Sequence, residues 1–224
     1  MTLAIRHHLD PATLMSFAAG SLGEPLSAVA AAHLEMCPHC RSEQHAMDLL
    51  GAALLDGLAA PLNDALARPA LPIAPTHDGT VTALPRRSAQ LPLAGIATQP
   101  VRVARRLGVD LDKIAWRRLG PGVWHCPLPL SPGATGDLRF LKIAAGKRMP
   151  EHGHGGTELT LVLEGTYGDE NGRYGRGDVQ DIDADSEHRP VADEATGCIC
   201  LVASEKPAHF KRIIDRLLQP LTGM

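Results

Sequence analysis

The chain has 224 residues, 22 Lys and Arg against 25 Asp and Glu, and a formal net charge of -3. That balance gives no general basic field for holding a phosphate backbone, and an aromatic content of 3% argues against stacking platforms for single-stranded nucleic acid. Nothing approaches the ~20 uncharged apolar residues that span a bilayer, and the start lacks a signal-peptide pattern, so the expectation is a cytoplasmic protein with no membrane and no direct nucleic-acid partner.

The first 60 residues read as helices. Asp10-Pro11 supplies an N-cap and a Pro at the first helical position, and that helix stops at Gly20. A second helix begins near Pro25, with Leu26, Val29, Ala30, His33, Leu34 and Cys37 along one stripe. A third, placed after Cys40, carries Met47, Leu50, Leu54 and Leu58. Pro61, Pro69, Pro72, Pro75, Pro85, Pro92 and Pro100 then mark a linker, with one short helix expected near 63–67. Short extended runs at 116–119, 122–125, 138–143, 159–163, 177–182 and 198–203 predict an antiparallel barrel, and 210–218 has helical spacing.

Two clusters carry chemistry. His33-x3-Cys37-x2-Cys40 puts an imidazole and a thiol one helical turn apart, with a second thiol three residues on, a donor set that suits tetrahedral zinc. The competing readings are a redox dithiol, which should follow a strand in a βαβ unit that is not visible here, or two incidental cysteines. A fourth donor has to come from elsewhere; His7 and His8 are the upstream candidates, and His39 is confined within the CxxC turn.

The helical setting, the run Ile5-Arg6-His7-His8 and the His33, Cys37, Cys40 trio resemble the zinc-binding anti-sigma domain of regulators of extracytoplasmic-function sigma factors. The resemblance is closest to the ChrR type, whose pattern implies His8 as the fourth zinc ligand.

Further on, Gly146-x5-His152-x-His154-x3-Glu158-x6-Gly165 matches the first cupin motif, and His188 lies where the second motif supplies its His. Residues two apart on an extended segment point to one side, so His152 and His154 face a common site, with Glu158 returning from the next strand. Asp183 and Asp185 replace the usual Pro and Gly of the second motif, and Ala192 stands where Asn is common, which leaves that turn's geometry open. The runs 157–165 and 197–201 and Leu111-x4-Trp116-Arg117-x-Leu119-Gly120 resemble ChrR-type cupin domains as well. Cys198 and Cys200 share a strand face and read as packing residues rather than a redox pair.

The expected architecture is multidomain: a small all-α zinc-binding domain over residues 1–75, a Pro-rich linker over 76–110, and an all-β cupin barrel with a C-terminal helix over 111–224. The resemblance implies an anti-sigma factor that occludes a group IV sigma factor, with zinc in the helical domain. It also implies a cupin domain, holding Zn or another divalent metal such as Mn, Fe or Ni, that is needed for release under oxidative stress such as singlet oxygen. The alternative is a metal-dependent cupin enzyme of dioxygenase or isomerase type with an accessory zinc domain, in which open coordination positions would take substrate.

Overall fold

The computed structural model describes residues 5–58, 114–206 and 209–210. Three helices come first: α1 (Pro11–Ala18), α2 (Glu24–Met36) and α3 (Pro38–Leu58). Asp10 caps α1 through its carboxylate, which accepts from the Ala12 N–H at 2.8 Å, and Pro11 opens the helix as the sequence requires. The third helix starts at Pro38, earlier than its apolar pattern suggested. Proline disfavours helical backbone in the residue before it, so Cys37 is extended at φ -105 and ψ 103 and the chain breaks there. Arg41 ties the break together by donating to the Leu34 and Glu35 carbonyls at the end of α2.

The rest of the described chain is β: β1 (Arg117–Gly120), β2 (Val123–Pro127), β3 (Asp137–Ile143), β4 (His152–Gly153), β5 (Glu158–Asp169), β6 (Gly172–Gly175), β7 (Val179–Ile182), β8 (Glu187–His188), β9 (Val191–Ala192), β10 (Cys198–Ser204) and β11 (His209–Phe210). The main sheet runs β1-β2-β3-β10-β5-β6, with β7 and β9 also paired to β5, and β11-β4-β8 form a second sheet. All of these pairings are antiparallel. The six expected strands are β1, β2, β3, β5, β7 and β10; the five others are each two to four residues long, too short to carry a period.

Strand β5 is 12 residues long and changes partners midway, pairing with β7 before Val162 and with β6 and β9 after Gly165. Gly165 makes that change feasible: its φ is +69, and a Cβ there would sit 2.0 Å from the Gly197 carbonyl oxygen.

The sheet is buried on both faces. Inside the barrel, Val162, Cys198, Cys200 and Val202 pack with Ile143, Met149, Tyr167 and Tyr174. Outside it, Leu138, Phe140, Leu159, Leu161, Leu163 and Leu201 join one core with Leu26, Val29 and Ala30 of α2. The alanines of α2 let it lie close against the sheet, and Leu26 is fully buried there; truncating it to Ala would cost about 2–5 kcal/mol. The expected helices at 63–67 and 210–218 lie outside the described residues, apart from Phe210 in β11. Among the described residues no helix is long and apolar enough to cross a membrane.

Candidate metal centres

The α2–α3 break builds the first centre. Extended Cys37 and Cys40 in the first turn of α3 aim their sulfurs back at α2, where His33 occupies the last turn. The segment before α1 crosses the opening and brings His8. Donor atoms of His8, His33, Cys37 and Cys40 all lie within 4.8 Å of one another. His33 Nε2 is 3.3 Å from Cys40 Sγ, and His8 Nδ1 is 3.3 Å from Cys37 Sγ and 3.6 Å from Cys40 Sγ. Two histidines were open from spacing alone; the geometry separates them. His7 points away, with its ring against Tyr174 and its Nε2 donating to the Arg173 carbonyl at 3.1 Å. His39 is exposed and its ring lies tilted against that of His8 without joining the group.

The electrostatics suit a soft cation. Burial lowers His33 to about 4, so its imidazole is neutral at physiological pH. Its Nδ1–H donates to the Gly177 carbonyl at 3.0 Å, which fixes the tautomer and leaves the Nε2 lone pair facing the thiols. Burial, reinforced by Cys37, raises the Cys40 thiol to about 12, although the Leu9 N–H pulls the other way. The Cys40 N–H in turn donates to Cys37 Sγ at 3.5 Å.

The second centre lies inside the barrel. His152 on β4 and His188 on β8 are register partners, His154 follows β4, and Glu158 opens β5. Their donor atoms also lie within 4.8 Å of one another. His188 Nε2 is 3.1 Å from His152 Nε2 and 3.2 Å from His154 Nε2. Two of these rings are fixed from behind: His152 Nδ1 donates to the Pro150 carbonyl at 2.9 Å and His188 Nδ1 to Asp169 at 2.9 Å. Both therefore present Nε2 lone pairs inward at a separation where lone pairs repel, an arrangement a cation between them relieves. His154 Nδ1 is buried and lies 3.3 Å from Glu158 Oε2, close enough for an ion pair but without hydrogen-bond geometry.

Burial alone would raise the Glu158 carboxyl, but the imidazoles of His154, His152 and His188 outweigh it and hold the group below its ordinary value. Burial lowers His152, with His188 and His154 adding to the effect. Beside this cluster a cavity of about 320 Å³ is lined in part by Leu141, Ile143, Met149, His152, Glu158 and His188.

The turn left open by Asp183 and Asp185 is closed by side chains. Asp183 Oδ1 accepts from the Asp185 N–H and the Ser186 hydroxyl, a local substitute for a Pro-Gly turn. Cys198 and Cys200 are both buried in the barrel core as free thiols. The sequence reading missed Asp169, which holds His188, and Gln180, which holds Asp169 at 2.6 Å. It also missed Gly177. A carboxylate in a turn and a backbone carbonyl carry no motif, so the only available signal was the need of each ligand imidazole for an acceptor behind it.

The model for the ChrR cupin-like domain matches residues 104–208. The anti-sigma-E factor ChrR of Cereibacter sphaeroides is 35% identical over 223 residues, spanning 97% of this chain and 98% of that protein. The crystal structure of Rhodobacter sphaeroides SigE in complex with the anti-sigma ChrR contains a chain 37% identical, with a TM-score of 0.66 over 90% of this chain and 99% of that one.

Proposed function

The chain belongs to the ChrR family of anti-sigma factors, and from that premise we propose that it binds and silences an extracytoplasmic-function sigma factor through its helical part. It acts as a regulator and not as an enzyme. The observation that carries the reading is a group of leucines on α3 that are exposed among the described residues. Leu49, Leu50, Leu54 and Leu55 are each more than half exposed, whereas most of α2 is buried. Four leucines on one helix, with no covering layer among the described residues, make a surface suited to another protein.

In this reading residues 1–75 are the sigma-binding unit, 76–110 the link and 111–224 the sensing unit. His8, His33, Cys37 and Cys40 hold zinc, and His152, His154, Glu158 and His188 hold Zn or another divalent metal. Two thiolates and two imidazoles match tetrahedral zinc and complete its shell, whereas imidazoles with a carboxylate accept several metals. Zinc in the helical part supplies cross-linking that a unit of this size needs. The barrel centre, beside its cavity, is the part through which oxidative stress such as singlet oxygen releases the sigma factor, in the cytoplasm.

The test is retention of a candidate sigma factor by the tagged full-length chain, with transcription from a sigma-dependent promoter alongside. Leu50→Glu with Leu54→Glu should weaken retention by roughly 30-fold or more, the scale of a lost interface anchor, and raise transcription while metal content stays at the wild-type level. Undiminished retention by that double variant would move the interface off α3. Failure of the wild-type chain to retain any candidate sigma factor or to repress transcription would sink the function.

A further inference from the structure

The helical centre is enclosed on one side by the barrel. The turn between β6 and β7 reaches it with two groups: the Gly177 carbonyl accepts from His33 Nδ1, and Asp178 Oδ1 accepts from the Arg6 N–H at 2.7 Å and the His7 N–H at 3.1 Å. The first fixes the ring of one donor residue and the second pins the backbone that delivers His8. The Val179 N–H donates to the His7 carbonyl at 3.3 Å, continuing the attachment. Asp178 is 4% exposed, and its other oxygen accepts from the Gly175 N–H, so the carboxylate is held in place by its own turn. The fit is close. Gly177 has φ +90, and a Cβ there would lie 2.9 Å from the Ile5 side chain and 3.3 Å from that of Met36.

We propose that Gly177 and Asp178 are positioning groups of the helical metal centre, so that the barrel sets how firmly that centre holds its metal. A ligand imidazole without its acceptor rotates and loses basicity, and a ligand on an untethered N-terminal segment leaves more readily; partners of this kind commonly change metal affinity 10–100-fold. The inference rests on reading the helical centre as a metal site, and it gives the barrel a physical route to the part that faces the sigma factor. A state of the barrel that withdraws this turn weakens the centre behind the proposed interface.

The experiment uses full-length protein carrying zinc, with release to a chromophoric chelator followed in time, and cobalt-substituted protein read by its thiolate-to-cobalt charge-transfer band. Asp178→Ala should speed release from the cysteine-bearing centre by about tenfold and shift the cobalt band, while the metal of the barrel centre is retained. Asp178→Asn keeps an acceptor oxygen and should fall between wild type and Ala; it decides the matter if Ala does not fold. Glu24→Ala removes a different helix-to-barrel contact, to the Ser131 N–H and hydroxyl, and should release at the wild-type rate. Wild-type release and an unshifted band in the Asp178 variants would overturn the proposal. Equal acceleration by Glu24→Ala would also overturn it, since general undocking would then be the cause. Binding of the sigma factor is scored separately, so a chain that fails to bind it sinks the functional reading and leaves this one standing.

Discussion

The helical and barrel centres each gather four donor residues within the same 4.8 Å limit, yet they are built in opposite ways. In the helical centre the donors come from a break between two helices and from a crossing N-terminal segment, and two of them are thiols. In the barrel the donors come from β4, its following loop, β5 and β8, all are nitrogen or oxygen, and a cavity lies alongside. A centre whose protein donors complete a tetrahedral shell acts mainly as a cross-link, whereas one beside a cavity is accessible to small molecules. The difference fits the roles proposed above, holding for the first and responding for the second.

The two are linked through β7. Its preceding turn carries Gly177 and Asp178 against the helical centre. On the strand itself Gln180 bonds Asp169, which in turn holds His188 of the barrel centre. Different centres thus have outer groups on one short stretch of chain.

The largest effect expected from this comparison is on the helical side. Cys37→Ser or Cys40→Ser should remove about one equivalent of metal and loosen the helices, because a cross-link and the fold it closes are lost together. Metal analysis with circular dichroism checks this, and unchanged zinc in both variants would remove the distinction at its root. A smaller effect is expected in the barrel: His152→Ala should remove its metal, leave the helical metal bound, and preserve the strands, since their core is formed by residues such as Val162, Tyr167 and Val202. Loss of metal from both centres after that single change would make them one unit.

The smallest effect separates the centres by protons. With its thiol raised to about 12 the Cys40 side chain is protonated at pH 7, so metal binding there must displace that proton and affinity should rise with pH. The barrel donors are set the other way: the carboxyl of Glu158 and the imidazole of His152 are held below their ordinary values and are already deprotonated at pH 7. Titration calorimetry in buffers of different ionisation enthalpy should find more protons released by the helical centre, whose two donor thiols become thiolates on binding. Equal release by the two would show that their donors do not differ in this respect.

The long strands were legible because each contained a run of apolar residues with turn residues at its ends. Their apolar character on alternate and intervening positions alike, as in Leu159, Leu161, Val162 and Leu163, had a cause the pattern did not disclose: α2 covers the outer face of the sheet. The eight candidate donor residues were legible for a different reason, since ligand chemistry restricts residue type and local backbone restricts spacing. His8 needed the family resemblance, because two adjacent histidines cannot be told apart by spacing; in the structure the contact of the His7 ring with Tyr174 separates them.

By itself, then, the sequence determined the longer local elements and the candidate donors that lie close together in it, His33, Cys37 and Cys40 and His152, His154 and Glu158, which depend on neighbours a few residues apart. The cap of α1 by Asp10 and the shared face of His152 and His154 are of this kind. Only the tertiary structure decided that the helices lie on the barrel and that Asp169, Gln180, Gly177 and Asp178 stand behind the donors. His33 and Gly177 are 144 positions apart and meet through a ring N–H and a backbone carbonyl. Every residue has that carbonyl, so nothing in the side-chain pattern marks which one the His33 ring will meet; packing of α2 against the sheet selects it.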